Sequence, residues 1–181
     1  SIAKLTQYLT EDFAKTVQLI FDSKGRLVVT GIGKSAIIAQ KIVATLNSTG
    51  TPSIFLHAAE AIHGDLGMIQ KGDVVLCISK SGNSPEIKVL APIIKNFGTT
   101  LIGMTANPSS FLATSSDLVL LAHVDDESCP LGLAPTNSTT AQLVLGDAIA
   151  ICLMKMRGFQ AEDFAKYHPG GALGKKLLLR V

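Results

Sequence analysis

Val74-Val75-Leu76-Cys77-Ile78-Ser79-Lys80-Ser81-Gly82-Asn83-Ser84-Pro85-Glu86 is the stretch that decides how this chain folds. Val74 to Ile78 is a continuous apolar run with β-branched members, the pattern of a strand buried on both faces. It runs directly into Ser79–Ser84, then into Pro85-Glu86-Ile87-Lys88-Val89-Leu90, which has helical spacing. Ser84 suits the N-cap, Pro85 the first helical position and Glu86 the first turn. A buried strand therefore delivers three hydroxyls (Ser79, Ser81, Ser84), Gly82 and unpaired backbone N–H groups to the start of a helix. Such a turn favours an anion, because free N–H groups and the helix dipole act together. A phosphate is the expected guest. Ser, Gly and Asn also build ordinary turns for local reasons, so the stretch needs support from the rest of the chain.

Working outward, Ile2 to Phe21 reads as one amphipathic helix, with Ile2, Leu5, Leu9, Phe13, Val17 and Ile20 on one stripe. Leu27–Thr30 is a first strand ending at Gly31-Ile32-Gly33-Lys34-Ser35, and a helix follows from Ala36 to Leu46. Ser53–Leu56 is a second strand, ending at His57, and Ala58–His63 a short helix. Beyond the central strand, Thr99–Thr105 and Asp117–Leu121 read as the fourth and fifth strands. A short helix starting at Asn107–Ser110 separates them. His123–Asn137 is an irregular loop, after which Ser138 or Thr139 caps a long apolar helix to Met156. Strands alternating with helices imply right-handed crossovers, and so an α/β fold. The expected architecture is a five-stranded parallel sheet flanked by helices on both faces, a flavodoxin-like three-layer sandwich. In the strand order 2-1-3-4-5, ligands bind beyond the carboxyl ends of strands one and three. The Gly33-Lys34-Ser35 and Ser79–Ser84 turns follow those two strands and would meet in one pocket.

With 181 residues the chain reads as one domain. It is 47% hydrophobic and 17% charged, which points to surface buried in an oligomer or to a thick α/β core. The net charge of +2 is too small to argue for nucleic acid or an anionic membrane. No apolar stretch reads as long and unbroken enough to span a bilayer, and no signal-peptide pattern opens the sequence. Cys77, Cys129 and Cys152 are few and widely spaced. That argues against a disulfide framework and for a reducing cytoplasm. No CxxC pair or HExxH motif marks a zinc site.

Two familiar motifs fail. Gly33-Lys34-Ser35 supplies the end of a P-loop, but Val28 stands where its first glycine belongs. Ala36 replaces the last glycine of the dinucleotide fingerprint. Lys34 is then a phosphate or sugar contact, or a plain surface lysine. His57 and His63 flank the short helix after the second strand, and His123 reads as structural. His168 precedes Pro169-Gly170-Gly171, and an imidazole titrating near ~6.5 suits proton transfer. Glu60, Glu86 and Glu127 fall in loops or first turns on the carboxyl side of the sheet. Each could cap a helix or face water; beside Lys34 and the histidines they are candidate acids and bases.

The Gly33-Lys34-Ser35 and Ser79–Ser84 turns resemble those of sugar isomerase (SIS) domains. Four further stretches closely resemble the D-arabinose 5-phosphate isomerases. They are His63–Met68, Cys129–Thr136, Ser138-Thr139-Thr140 and His168-Pro169-Gly170-Gly171-Ala172-Leu173-Gly174. The resemblance implies interconversion of D-ribulose 5-phosphate and D-arabinose 5-phosphate, with no cofactor. The product would feed 3-deoxy-D-manno-octulosonate synthesis for lipopolysaccharide or capsule. It assigns catalytic importance to Lys34, Glu86, Glu127 and His168, and leaves the base open between Glu86 and Glu127. Glu60 is a third candidate, because related amino-sugar isomerases carry a glutamate three residues before their His-Gly. Substrate or phosphate contacts are expected at Gly33, Ser35, Gly50, Thr51, His57, Glu60, His63, Ser79, Ser81, Gly82 and Ser84. The resemblance further implies a homotetramer with shared active sites. No metal is required, although an inhibitory zinc would fall at His57. A downstream sugar nucleotide is an expected inhibitor. Asn83 departs from the Glu that members often carry. Many members continue into a pair of CBS domains, and Leu177–Val181 stands about where these would begin. The alternatives are a phosphosugar-binding regulatory module and an isomerase of another sugar phosphate.

Overall fold

The computed structural model of the protein describes residues 2–170. Residues 171–174 of the His168 motif and the Leu177–Val181 end lie outside them. A 3-10 helix, Ile2–Tyr8, precedes α1 (Glu11–Asp22), β1 (Leu27–Gly31), α2 (Lys34–Ser48), β2 (Ser53–His57) and α3 (Ala58–Ala61). After a 3-10 turn at Asp65–Met68 come β3 (Val74–Ile78), α4 (Pro85–Asn96), β4 (Thr100–Thr105), α5 (Phe111–Ser115) and β5 (Leu118–Leu121). The long helix α6 (Asn137–Met156) and the short α7 (Ala161–Tyr167) complete the order.

All strand pairs are parallel, in the order β2-β1-β3-β4-β5. Side chains alternate across the sheet as the pleat requires. Leu27, Val29, Val74, Leu76 and Ile78 join α1, α2 and α6 in one core. Val28, Val75 and Cys77 join α3, α4 and α5 in the other. β1 and β3 are buried at every position, which is why they read as unbroken apolar runs rather than as alternating ones.

Three sequence expectations need correction. The first helix is two elements, because Thr10 is an N-cap inside the apolar stripe: its hydroxyl accepts from the Asp12 N–H at 3.3 Å. Glu11 and Asp12 then sit on the favourable end of the α1 dipole. The helix expected over Ala58–His63 stops at Ala61. The third concerns α6, whose 20 residues and mean hydropathy of 1.3 meet the length and composition of a membrane span. In the fold α6 is a packing helix: its buried side includes Ala141, Leu145, Ile149 and Leu153, and Asp147 on it pairs with Lys41 of α2.

Candidate functional site

Chain polarity brings the two turns together at the carboxyl-terminal rim of the sheet. His57, Gly31 and Ile78 lie in one row across β2, β1 and β3, with strands about 4.8 Å apart. Gly33-Lys34-Ser35 opens α2 just past Gly31, and Ser79–Ser84 leads from Ile78 to α4. The chain leaves β1 for one neighbour and later returns on the other side, so this crevice is the switch point of the sheet.

The Ser79–Ser84 turn is fixed by its own residues. The Ser79 N–H donates to the Met104 carbonyl at 3.0 Å, and Ser79 Oγ accepts from the Gly82 N–H at 3.1 Å. Ser81 Oγ accepts from the Asn83 N–H, and Asn83 Oδ1 accepts from the Phe111 N–H at 2.9 Å. Gly82 has φ 65°, and a Cβ there would collide with the Ser110 side chain, so the position admits only glycine. Ser84 occupies the N-cap of α4 but makes no capping bond; its Oγ is buried without a partner among the described residues. Pro85 follows at the first helical position, as expected. A buried hydroxyl without a partner is expensive, and the first N–H groups of a helix need acceptors. One ligand oxygen would satisfy both.

Lys34 is the first residue of α2, behind Gly33 at φ 59°. A cation there opposes the helix dipole. Lys34 is exposed, and no carboxylate pairs with it among the described residues. An anion in the crevice removes that conflict. Ser35 is committed elsewhere: its hydroxyl donates to Gln142 Oε1 at 3.2 Å and ties α2 to α6. His57 Nδ1 is buried without a partner among the described residues, its ring edge-on to Phe55 at 6.2 Å. Glu60 and His63 are exposed at the end of α3 and just beyond it. Among the described residues no three His, Cys, Asp or Glu side chains gather as a metal site, at His57 or elsewhere.

The three glutamates differ sharply. Glu127 accepts from Lys80 Nζ at 2.6 Å, the Thr136 N–H at 2.8 Å, Thr136 Oγ1 at 3.1 Å, the Ser138 N–H at 3.2 Å and the Ser138 hydroxyl. Its side chain is 1% exposed. Burial pushes this carboxyl up, but Lys80, Ser138 and two backbone N–H groups outweigh it and hold Glu127 well below the usual carboxylate range. Glu127 thus caps α6 from outside, taking N–H groups that the helix start leaves over. The caps expected at Ser138 or Thr139 are not formed: the N-cap position is Thr136, and Ser138 turns its hydroxyl to Glu127. Glu86 is half-buried in the first turn of α4 and has no partner among the described residues. Glu60 is exposed.

Gly50, Thr51 and His168 do not reach this rim within the chain. Gly50 and Thr51 precede β2, which puts them at the amino-terminal rim. The 20-residue helix α6 runs from Glu127 to that same rim, a span of about 30 Å. There Arg157 Nε donates to Thr51 Oγ1 at 3.2 Å, and a Cβ on Gly50 would lie 2.8 Å from the Phe159 ring. Tyr167 stacks on Phe159 with centroids 6.0 Å apart. His168 follows it, stacked on Phe164 at 3.8 Å with Nδ1 2.8 Å from the Phe164 carbonyl. His123, expected to be structural, packs on Tyr8 at 4.7 Å.

Lys80, Thr136 and Gln142 hold residues of the candidate site and were left without a role by sequence reasoning, which read Ser138 only as a cap. Lys80 had a signal, as the one charge in a turn of small polar residues. Thr136 and Ser138 meet Glu127 across an irregular loop, 9 and 11 positions away, and Gln142 lies 107 from Ser35, so no local periodicity marks these contacts.

A model of the SIS domain family matches residues 19–152. Arabinose 5-phosphate isomerase KdsD of Pseudomonas aeruginosa is 57% identical over 181 residues, covering 100% of this chain and 56% of that protein. Arabinose 5-phosphate isomerase KdsD of Escherichia coli K12 is 54% identical over 180 residues, 99% of this chain and 55% of that protein. The chain therefore spans about half the length of the curated relatives it matches. A structure from E. coli CFT073 in complex with arabinose 5-phosphate has a TM-score of 0.89 at 44% identity, covering 93% of this chain and 89% of that one.

Proposed function

The chain belongs to the SIS domain family, and from that premise we propose that it interconverts D-ribulose 5-phosphate and D-arabinose 5-phosphate. The observation that carries this reading is the crevice between β1 and β3. It holds a buried hydroxyl without a partner, Ser84, and an unpaired cation at a helix start, Lys34. A sugar phosphate satisfies both, and the relative solved with arabinose 5-phosphate shares the fold at 44% identity.

The phosphate sits on the Ser79–Ser84 turn at the start of α4. The open sugar lies across the row of His57 and Gly31, toward Lys34. A base removes the proton on the carbon beside the carbonyl, the electron pair moves onto the carbonyl oxygen, and an enediolate forms. The same proton, held on the base, or one from solvent then returns to the neighbouring carbon. Glu86 is our choice for the base, since it is the half-buried carboxylate near this turn with its lone pairs uncommitted. Glu60 is more exposed, and Glu127 is spent on five donors. Lys34 stabilises the developing negative charge. His168 opens the ring or shuttles protons between oxygens. It does so from a neighbouring subunit, as do Gly50 and Thr51, because α6 separates them from the crevice of their own chain. The assembly is a homotetramer with shared sites in the cytoplasm. It supplies 3-deoxy-D-manno-octulosonate synthesis for lipopolysaccharide or capsule and is inhibited by a downstream sugar nucleotide.

The test is solvent exchange. Incubated with D-arabinose 5-phosphate or D-ribulose 5-phosphate in deuterium oxide, the protein should place deuterium at C2 of the aldose or C1 of the ketose. No exchange by a properly assembled oligomer removes the enzyme reading and leaves a sugar-phosphate-binding module. Turnover across a panel of sugar phosphates checks the choice of pentose.

A further inference from the structure

Lys80 begins the turn that follows β3, on the opposite side of the crevice from Lys34, which follows β1. Its backbone is held firmly: its carbonyl accepts from the Ala106 N–H at 3.0 Å and from Thr105 Oγ1 at 3.0 Å. Its side chain is 46% exposed, yet the ammonium lies 2.6 Å from Glu127 Oε1. The pair is therefore lopsided. Glu127 is sealed in the protein and also accepts from Thr136 and Ser138. Lys80 has three N–H donors, and among the described residues only Glu127 accepts from it. The carboxylate has other donors at the start of α6, whereas among the described residues the ammonium has only the carboxylate to hold it at the rim.

We propose that Lys80 is a substrate-binding cation, facing the sugar phosphate across the crevice from Lys34, and that Glu127 is the positioning residue that aims it. This rests on the sugar-phosphate reading above and deepens it: the resemblance gives Glu127 catalytic importance, and the geometry points to an effect exerted through Lys80. Two cations, one from each strand flanking the switch point, match a ligand whose phosphate carries about −1.5 to −2 charge at neutral pH and whose sugar gains a further negative charge during reaction. A flexible lysine alone would wander in solvent. A buried carboxylate at one of its donors leaves the other two directed outward.

The test uses binding and kinetics in the assembled protein. The binding probe is 5-phospho-D-arabinonate, which cannot isomerise. Lys80→Met should weaken it about tenfold and raise KM for D-ribulose 5-phosphate by a similar factor, the size expected for one lost ionic hydrogen bond. Its kcat should stay near wild type, its melting temperature should fall because the buried Glu127 carboxylate loses its counter-ion, and Lys80→Arg should restore most of the affinity and of the stability. Glu127→Gln should weaken the probe to a similar degree, and the double variant should bind no worse than either single one. The acid limb of its kcat/KM profile should persist, because the titrating base is still present. Wild-type affinity in Lys80→Met, additive losses in the double variant, or loss of the acid limb in Glu127→Gln would each overturn the proposal. If Glu127→Gln does not fold, Lys80→Met against Lys80→Arg decides. Absence of solvent exchange in the wild type would sink the isomerase reading separately, since the binding arm needs no turnover.

Discussion

At the amino-terminal rim Asp73 accepts four hydrogen bonds, three from Arg26 and one from the Gln70 N–H. At the carboxyl-terminal rim Ser84 Oγ and His57 Nδ1 are also buried, and among the described residues they accept or donate none. Arg26 precedes β1 and Asp73 precedes β3, so the same two strands carry a closed polar network at one end and an open one at the other. The carboxyl rim is not careless throughout: Glu127 there is as fully satisfied as Asp73. What separates the groups is what they bind. Asp73 and Glu127 fix backbone, whereas the side chains of Ser84, His57, Lys34 and Glu86 make no hydrogen bond among the described residues. Buried polar groups normally find partners; apart from Thr16 of α1 and Thr30 within β1, the exceptions among the described residues are Ser84 and His57, both at this rim.

The largest effect should come from the open rim. Glu86→Gln is expected to lower kcat about a thousandfold, within the range for loss of a general base, and to leave the melting temperature nearly unchanged. Steady-state kinetics with a thermal melt checks both. If Glu60→Gln shows that loss while Glu86→Gln stays close to wild type, the base moves to the end of α3 and the contrast must be redrawn around it.

The closed rim should respond in the opposite currency, stability rather than rate. Asp73→Asn is expected to cost about 2 kcal/mol in a urea melt, since Arg26 loses the charge it pairs with. KM and kcat of the folded fraction should not change. Burial raises the Asp73 carboxyl, but the Arg26 guanidinium and the N–H groups of Arg26 and Gln70 bring it below its ordinary value of 3.8. Glu127 is likewise held below its ordinary 4.5. Both groups therefore bind fewer protons folded than unfolded near those values. Their contribution is complete above roughly pH 5 and shrinks as pH falls through the acid range. Urea midpoints between about pH 7 and about pH 3 should fall in the wild type, and fall less in Asp73→Asn.

Much of this was readable before any coordinates, and the reasons differ by element. Parallel strands buried on both faces leave unbroken apolar runs, so β1 and β3 were plain. Alternating strands and helices implied a parallel sheet, although the crossover rule alone does not choose the order 2-1-3-4-5. The break at Thr10 was hidden because the apolar stripe runs on through Leu9 and Phe13. Glu127 read as a free candidate base because its donors, Lys80, Thr136 and Ser138, are brought to it only by the fold. The rim assignment of Gly50, Thr51 and His168 was readable and missed. In a parallel sheet, residues before a strand and after a returning helix lie at the amino-terminal rim. Gly50 and Thr51 precede β2, and His168 follows α6.

Ser84→Ala sharpens the comparison at smaller scale. A hydroxyl with no partner contributes nothing to the folded state by hydrogen bonding, so stability should hold or rise slightly. KM for the sugar phosphate should rise about fivefold, the loss of one hydrogen bond to a charged ligand. Matching urea curves with an altered KM support a hydroxyl reserved for ligand. A clear loss of stability with KM unchanged would make Ser84 an ordinary structural residue.

The two rims meet again if sites are shared between subunits, and that claim gives the smallest but most selective effect. Glu86 lies at one rim and His168 at the other, so one chain cannot bring both to a single sugar. Glu86→Gln and His168→Ala homo-oligomers should each be nearly inactive. Unfolded together in equal amounts and reassembled, they form mixed oligomers in which a site takes Glu86 from one subunit and His168 from its neighbour. Random assortment leaves both native residues at about a quarter of the sites in a symmetric assembly. Activity should recover to about that fraction of wild type, and only after exchange of subunits. Had each chain supplied both residues to its own site, no mixture could restore a single one, and the recovered activity would be nil at every ratio of the two variants.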